Sequence, residues 1–362
     1  MTCWYPSTRF PFAGSFVRRD ALLISRRHDV HVLHLVHGDD GGPDPANAAD
    51  ALRVTRVAMP TAPPIGPFLA AGAVGAALHG ADLVHTQAFP ALYPFALRRP
   101  RLPWVHSEHW SGIGDTRGLP WRGRLAVGAT GRLLDRPDVV TAVSEHLAER
   151  VRHFRRGPVH VVPSVVEPAT LTPRPSGRVI ELVAVGGLGA GKDPALARDT
   201  VRTLHQRGFP ARLTWVGDGP LRADLEATAQ PDDQVRFVGS RDASGVAESL
   251  DAADIFLLPT RGETLCLSAL EAITHGRPVV LGARGGQREY VTRENGRLVA
   301  ARSADAYADA VLEVWDQRNE IVPSRVAATI GDRFTPDRVR EGYDRAYRCA
   351  IEAADRRGGP SR

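Results

Sequence analysis

The segment from residue 255 to residue 282 constrains the fold of this chain more than any other. The apolar run Ile255–Leu258 is typical of a strand buried on both faces, and a second such run occupies residues 278–282. Between them, residues 267–275 have apolar side chains at helical spacing and are followed by Gly276, a common helix stop. We therefore predict a strand, turn, helix and strand unit, the building block of a parallel α/β sheet.

Two glutamates lie in this unit, Glu263 in the predicted turn and Glu271 in the predicted helix, with seven residues between them. Open α/β sheets bind ligands at the carboxyl ends of their strands, where Glu263 is expected. The helix start adds backbone amides that attract anions, at Thr264, Leu265, Cys266 and Leu267. A phosphate beside two carboxylates that accept hydroxyl hydrogens indicates a nucleotide sugar. The alternative is a surface glutamate and a first-turn glutamate favoured by the helix dipole alone.

Apolar strands alternate with helical segments along the whole chain, which predicts parallel sheets. With 362 residues, of which 43% are hydrophobic, the chain is long enough for two α/β domains with separate cores. A proline-rich connection at residues 170–177 is suited to a domain linker. We place the N-terminal domain at residues 1–172, the C-terminal domain at 173–335 and a terminal helix at 336–362.

Charge and cysteine content argue against several classes of protein. The net charge is +5, but 46 basic and 41 acidic residues are interspersed, so nucleic acid is not an expected partner. Cys3, Cys266 and Cys349 form no CxxC pair, which argues against a disulfide framework and a structural zinc site. No apolar stretch is long enough to span a bilayer, and the first ten residues lack the apolar core of a signal peptide. We expect a cytoplasmic protein without a metal site.

Residues 186–192 form a glycine-rich loop that ends in Lys192, the only lysine among the 46 basic residues. The loop matches the GxxxxGK pattern of nucleoside triphosphatases, but that pattern continues with Ser or Thr for magnesium, and this chain has Asp193 and Pro194. A dinucleotide site is also a poor fit, because no acidic partner is placed for a ribose. Two interpretations remain: an ammonium held beside a diphosphate, or a tight turn with a solvated lysine.

Taken together, these segments closely resemble the retaining glycosyltransferases of family 4, the group-one glycosyl transferases, which have the GT-B fold. The C-terminal half carries the more specific matches, in the order AVGGLGAGK, WVGDGPLRADLE, VRFVGS, ADIFLLPTRGETLCLSALEA, GRPVVLGARGGQRE and ENGRLV. The N-terminal half matches more loosely, through WYPSTRFPFAGSFV, HDVHVLHL, ADLVHTQ, WVHSEH, DVVTAVSEHLAERV and VHVVPSVVE. The resemblance implies two Rossmann-like domains with parallel sheets facing an interdomain cleft, the C-terminal one for the donor and the N-terminal one for the acceptor.

By motif position, the resemblance assigns roles to residues of the donor domain. Glu271 would bind the ribose hydroxyls, Glu263 the hydroxyls of the donor sugar, and Lys192 the diphosphate. The amides of residues 264–267 would help to hold sugar and phosphate. Ser240 and Arg241 would lie near the base.

The resemblance also assigns two residues of the N-terminal domain. His109 would lie beside the transferred sugar, and Gly14 would belong to the loop that closes over the phosphates. On its own, a histidine in a turn at a strand end is usually structural.

Two departures from the family pattern affect the donor site. Gly187 stands where the family has a diphosphate-binding arginine, so one positive charge is missing. We hypothesise that Arg261 or Arg284, which flank the donor loop, compensates. Thr264, Leu265 and Cys266 replace a triplet of small, aromatic and glycine residues, which narrows the loop and predicts an altered donor preference or lost catalysis.

The function that the resemblance implies is retaining transfer of a hexose-type sugar from a nucleoside-diphosphate sugar, UDP favoured over GDP, to an acceptor hydroxyl. The acceptor would be a small molecule, a glycan or a lipid-linked molecule. No cofactor or metal is expected, so Lys192 and the helix start would stabilise the leaving diphosphate. The alternatives are an epimerase or hydrolase of nucleotide sugars with the same fold, and a non-catalytic subunit that binds nucleotide sugars.

Two groups of basic residues raise the further hypothesis of a weak peripheral contact with the inner face of the membrane. They are Arg122, Arg124 and Arg132 near Trp121, and the cluster Arg18, Arg19, Arg26 and Arg27. A solvated basic face is the simpler explanation, because no strong amphipathic pattern accompanies these charges.

Overall fold

The computed structural model describes residues 1–43, 50, 52–59, 66–114, 121–175, 177–230 and 233–358. Its strands, in chain order, are β1 (His31–Val36), β2 (Arg53–Ala58), β3 (Val84–Gln87), β4 (Trp104–Glu108), β5 (Val139–Ala142), β6 (Val159–Val161), β7 (Ile180–Val185), β8 (Ala211–Val216), β9 (Val235–Gly239), β10 (Ile255–Leu258), β11 (Val279–Gly282) and β12 (Gly296–Val299). Its α-helices are α1 (Ser15–Ser25), α2 (Gly66–Ala77), α3 (Ser111–Gly114), α4 (Trp121–Thr130), α5 (Glu145–Arg152), α6 (Pro194–Gln206), α7 (Arg222–Ala227), α8 (Ala243–Asp251), α9 (Leu267–Thr274), α10 (Ala304–Asp316), α11 (Pro323–Ala328) and α12 (Pro336–Gly358).

The chain divides into two compact units, which we call the N-terminal unit (Met1–Val165 with Thr335–Arg362) and the C-terminal unit (Val166–Phe334). In the N-terminal unit, β1 pairs with β2, and β3, β4, β5 and β6 form a four-stranded sheet, all parallel. Thr2 bridges β1 and β3 through His34 and Gln87. The first residues therefore join the two ladders.

The helix α12 completes the core of the N-terminal unit. Strands β4 and β5 are buried along their whole length, as parallel strands covered on both faces must be. The buried stripe of α12, including Tyr343, Ala346 and Ala350, packs in one cluster with Val105 of β4 and Val139 of β5. The expected terminal helix therefore forms, and its core is shared with the N-terminal sheet.

The C-terminal unit has a six-stranded parallel sheet with the order β12-β11-β10-β7-β8-β9. The first strand of the unit, β7, lies inside the sheet, with β8 on one side and β10 on the other. This is the strand order of a Rossmann-type sheet, and the direction of winding reverses between β7 and β10. Ligands of such sheets bind outside the carboxyl ends of the strands at that point.

The division between the units differs from the expected boundaries. Residues 166–172, which we expected in the N-terminal domain, belong to the C-terminal unit, and residue 335 belongs to the N-terminal unit. The amide of Val166 donates to the carbonyl oxygen of Phe334 at 2.9 Å. The buried guanidinium of Arg277 donates to Thr172 Oγ1 at 2.5 Å. These bonds hold the start of the proline-rich connection to the C-terminal unit, a constraint that composition does not reveal.

Within the described residues, none of the helices combines the length and apolar character needed to cross a membrane.

Candidate functional site

The loops that follow β7 and β10 carry the predicted site of the C-terminal unit. Lys192 lies in the loop after β7, and Glu263 in the loop after β10. The two strands are hydrogen-bonded neighbours, Ile255 being paired with Leu182. Both loops therefore leave the sheet at the same edge and at the point where the winding reverses, which is where an α/β sheet binds its ligand.

The structure brings Lys192 and Glu263 into contact. Lys192 Nζ donates to Glu263 Oε1 at 2.5 Å, and the hydroxyl of Thr260 donates to the same oxygen at 2.7 Å. The side chains of Lys192 and Glu263 are 29% and 13% exposed, so water competes weakly for the pair. Burial works against the charged amine, but the carboxylate of Glu263 outweighs it and raises the pKa of Lys192. Lys192 is therefore a fixed positive charge at neutral pH.

The stem of Lys192 runs closely past the backbone of Gly186. A Cβ atom at residue 186 would lie 3.4 Å from Cε of Lys192, and φ of Gly186 is 154°. The Cβ distance is an ordinary contact, so the backbone conformation is what favours glycine at this position. The glycine-rich loop thus directs the lysine toward Glu263.

Backbone hydrogen bonds hold the Glu263 loop between two neighbours. The amide of Arg261 donates to the carbonyl oxygen of Gly191 at 2.8 Å. The amide of Glu263 donates to the carbonyl oxygen of Arg284 at 3.2 Å, and the amide of Gly286 donates to the carbonyl oxygen of Glu263 at 3.0 Å. The backbone on which Glu263 is built is therefore fixed from both sides.

The turn before α9 is buried. Leu265 and Cys266 are 4% and 5% exposed, and the hydroxyl of Tyr290 donates to both of their carbonyl oxygens, at 2.9 and 3.2 Å. Cys266 has φ of 68°, a left-handed conformation that is uncommon for a residue with a side chain. Burial, and then the charge of Glu263, raise the pKa of the Cys266 thiol to about 12, so the thiol is not a nucleophile at neutral pH.

The other predicted donor residues are placed as follows. Leu267 is the first residue of α9 and Glu271 lies within α9; both are half-buried, as is Thr264. Gly187 is exposed, and a Cβ atom there would meet only the carbonyl oxygen of Asp218, at 3.5 Å. Ser240 and Arg241 are exposed and follow β9, which lies two strands away from β7 at the edge of the sheet. They are therefore more remote from the Lys192 loop than the residues after β10.

Gly14 and His109 lie in the N-terminal unit. Gly14 has φ of 64°, and a Cβ atom there would lie 2.2 Å from the carbonyl oxygen of Trp4, so the position requires glycine. Phe16, two residues later, packs against the ring of His109 with 4.8 Å between the ring centroids and a tilt of 44° between the ring planes. The N-terminal unit thus brings the Gly14 turn and His109 together.

The side chain of His109 is buried, and its Nε2 atom has no hydrogen-bond partner among the described residues. Its backbone amide donates to Glu108 Oε1 at 2.9 Å. Burial, and then the neighbouring His106, lower the pKa of His109 to about 3. The imidazole is therefore neutral at physiological pH and offers one buried nitrogen for a hydrogen bond.

Sequence reasoning missed three residues of the C-terminal unit. Thr260 contacts Glu263, and Asp193 and Arg302 form an ion pair beside them. Asp193 and Thr260 adjoin recognised segments, so their polarity after a strand or glycine loop was an available signal. The sequence held no signal for Arg302, because its other partners are backbone carbonyl oxygens, which every residue has. Among the described residues, no group of His, Cys, Asp and Glu side chains could hold a metal ion.

Two family models match the chain, one for each half. Residues 21–170 match the glycosyltransferase family 4 model, and residues 180–317 match the model of glycosyl transferases group 1. The chain belongs to the family 4, group 1 glycosyltransferases. The resemblance inferred from its motifs is confirmed.

A curated relative of this glycosyltransferase chain is a GDP-mannose-dependent alpha-(1-6)-phosphatidylinositol dimannoside mannosyltransferase of Mycobacterium tuberculosis. It is 38% identical over 134 residues, which are 36% of this chain and 34% of the relative. The chain thus matches about a third of the length of that relative.

Two solved structures resemble nearly the whole glycosyltransferase chain. Sucrose-phosphate synthase from Thermosynechococcus elongatus has a TM-score of 0.77 at 20% identity and covers 93% of this chain and 92% of its own. Anabaena HepE in complex with UDP-glucose has a TM-score of 0.73 at 18% identity and covers 95% of this chain and 97% of its own. The likeness confirms the predicted α/β GT-B fold with parallel-sheet domains.

Proposed function

We propose that this protein is a retaining glycosyltransferase that moves a hexose-type sugar from a nucleoside-diphosphate sugar to an acceptor hydroxyl. The observation that carries the proposal is the contact of Lys192 with Glu263 at the point where the C-terminal sheet reverses its winding. An ammonium for a diphosphate and a carboxylate for sugar hydroxyls stand 2.5 Å apart there. A nucleotide sugar presents these two groups next to each other.

The donor would lie along the edge of the C-terminal sheet. Lys192 would bind the diphosphate, Glu263 the sugar hydroxyls and Glu271 the ribose hydroxyls. The amides of residues 264–267, at the start of α9, would face the sugar and phosphate. Ser240 and Arg241 remain our candidates for the base, Gly14 for the loop that closes over the phosphates, and His109 for a position beside the transferred sugar.

The chemical step breaks the bond between the anomeric carbon and the diphosphate oxygen. The acceptor oxygen bonds to the anomeric carbon on the same face, and its proton goes to the departing phosphate oxygen. Negative charge grows on the diphosphate while the sugar becomes oxocarbenium-like, so a fixed positive charge at Lys192 lowers the barrier. This route requires no side-chain nucleophile and no metal, in agreement with the raised pKa of the Cys266 thiol.

The donor base we favour is uracil, with guanine next. Anabaena HepE was solved with UDP-glucose, and the mycobacterial relative is named for GDP-mannose. The acceptor would be a small molecule, a glycan or a lipid-linked molecule.

Arg261 is the better candidate to replace the charge that Gly187 lacks. Its guanidinium is 60% exposed and donates to Asp193 Oδ2 at 2.9 Å, next in sequence to Lys192. Arg284 supports the loop through its backbone, since its carbonyl oxygen accepts the amide of Glu263.

A screen of nucleotide sugars tests the proposal. Thermal stabilisation by one sugar nucleotide identifies the donor, because a ligand bound only to the folded state raises the melting temperature. Release of nucleoside diphosphate that requires an added acceptor, with the anomeric configuration kept in the product by NMR, would support retaining transfer. Release without acceptor indicates a hydrolase, interconversion of the sugar an epimerase, and binding without turnover a non-catalytic subunit; each contradicts the proposal.

We also propose a weak contact between α4 and an anionic membrane surface. Trp121 and Leu125 are one helical turn apart and 61% and 64% exposed, and Arg124 between them is exposed. Exposed aromatic and aliphatic side chains beside an arginine suit a weak contact with anionic lipid, although α4 as a whole has no strong amphipathic pattern. Co-sedimentation with anionic liposomes at low salt, and its loss in Trp121→Ser/Leu125→Ser, would support the contact; absence of co-sedimentation would refute it.

A further inference from the structure

Arg302, at the end of the sheet after β12, connects the two loops of the candidate donor site. Its guanidinium forms an ion pair with Asp193 and donates to the carbonyl oxygens of Pro259 and Thr260, at 3.1 and 3.2 Å. Asp193 directly follows Lys192, and Thr260 donates to Glu263. One side chain therefore spans the segment that carries the ammonium and the segment that carries the carboxylate.

Asp193 is an unusual neighbour for a diphosphate site. Its side chain is only 15% exposed, and a negative charge next to Lys192 would repel a bound diphosphate unless it is compensated. Two guanidiniums share its Oδ2 atom, those of Arg261 and Arg302. Arg302 is the more buried of the two, at 30% exposed against 60% for Arg261.

We propose that Arg302 is a positioning residue for the nucleotide-sugar site. It fixes the Lys192 loop against the Glu263 loop and keeps Asp193 neutralised, which leaves the exposed Arg261 available for the diphosphate. The inference rests on the proposed function. This role of Arg302 explains how the chain, with Gly187 in place of the family arginine, can use Arg261 as a second positive charge for the diphosphate. The carboxylate of Asp193 stays paired with Arg302.

Binding of UDP and GDP by isothermal titration tests this inference without a known acceptor. We expect Arg302→Gln to weaken binding of the preferred diphosphate about tenfold or more, because it removes hydrogen bonds to a charged group and leaves Asp193 facing the ligand. Adding Asp193→Asn to Arg302→Gln should restore most of that affinity, because the repelling carboxylate is then gone. If Arg302 had only a structural role, the double variant would bind the diphosphate no more tightly than Arg302→Gln alone.

Arg297→Gln is the matched control. Arg297 lies in β12, five residues before Arg302, and has the same kinds of partner: the carboxylate of Glu313 at 2.8 Å and backbone carbonyl oxygens. It should lower the melting temperature about as much as Arg302→Gln but leave the affinity for the diphosphate unchanged.

The outcomes separate this inference from the proposed function. If the wild-type protein binds a diphosphate and Arg302→Gln binds it equally well, the inference is wrong and the proposed function stands. Failure of Asp193→Asn to recover affinity in the double variant also overturns the inference. If the wild-type protein binds neither UDP nor GDP, the proposed function fails and the inference fails with it.

Discussion

Lys192 and Glu263 are 71 residues apart in sequence, and their side chains meet at 2.5 Å between adjacent loops of one sheet. Each group satisfies the other before any ligand arrives. A donor must therefore replace the contact with its own phosphate and hydroxyl oxygens, which favours ligands that offer both to the two side chains at once.

Lys192→Gln should reduce kcat/KM for the donor identified by the screen by about 10²- to 10³-fold, because it removes the fixed positive charge at the leaving group. Lys192→Arg should not restore activity, because the planar guanidinium is wider than the ammonium that lies beside Gly186. In addition, Glu263 accepts from Lys192 through a single oxygen, a geometry that does not match the two-pronged guanidinium. Arg207→Gln, which breaks exposed ion pairs with Asp305 and Asp309, is the control and should leave kcat/KM unchanged. Equal activity of Lys192→Arg and wild type would contradict the role of a compact ammonium.

Gly187→Arg should tighten binding of the nucleoside diphosphate about tenfold by restoring the missing guanidinium. The position accepts a side chain, because its Cβ atom would make only an ordinary contact with the carbonyl oxygen of Asp218. Gly189→Arg adds the same charge to the same loop at a position where a Cβ atom meets nothing within 4 Å. Titration calorimetry should show a higher affinity for the nucleoside diphosphate in Gly187→Arg but not in Gly189→Arg. Equal increases in affinity would mean that net charge alone is responsible.

Cys266→Gly should be more stable than Cys266→Ala by about 1 kcal/mol, the reverse of the usual order in helices. Both variants remove the thiol, but only glycine adopts φ of 68° without a steric cost. Ala269→Gly in α9 is the control for a regular helix position, where glycine should be less stable than alanine by about 1 kcal/mol. Urea unfolding of the three variants measures the difference, and a Cys266→Ala protein as stable as Cys266→Gly would contradict the strain.

Asp20 should make the N-terminal unit less stable as the pH rises from about 4 to 7. It is fully buried, Tyr343 donates to its Oδ2 atom at 2.8 Å, and burial raises the pKa of the carboxyl to about 7. Because the folded-state pKa lies above the unfolded value, the carboxyl's contribution to stability is complete below about pH 4 and is lost as the pH passes 7. The loss is about 4 kcal/mol at most.

Asp20→Asn cannot ionise and should flatten the dependence of the melting temperature on pH over this range. Asp337→Asn is the control, because the Asp337 side chain is 76% exposed. A melting temperature of Asp20→Asn that still falls like that of the wild type would show that another group titrates.

Strong local patterns made much of the fold predictable. The run 255–258 and the helical spacing from residue 267 recur as β10 and α9, and the terminal helix that we placed at residues 336–362 forms as α12. By contrast, α8 was not predicted, because its only large apolar residues are Val246 and Leu250, and only Leu250 is buried. The bridge made by Thr2 was missed for a related reason: a single residue pairs with both neighbours, and no pattern accompanies it.

The proximity of Lys192 and Glu263 in the candidate site was predictable, because both side chains belong to recognisable motifs. Arg302 lies 42 residues beyond Thr260, and its contact there is to a backbone oxygen that every residue possesses. Contacts to backbone oxygens cannot be read from the identity of the residue that is contacted. Only the three-dimensional structure shows them.

The return of α12 to the N-terminal sheet has a practical consequence for dissecting this protein. Residues 166–334 are one continuous stretch and can be produced as a single fragment, whereas the other half is encoded in two separated pieces. Expressing residues 1–165 alone would omit Tyr343, Ala346 and Ala350 and leave an apolar sheet face open to solvent. A soluble version of that half therefore calls for the last helix to be spliced on through a short designed linker or supplied in trans as a peptide.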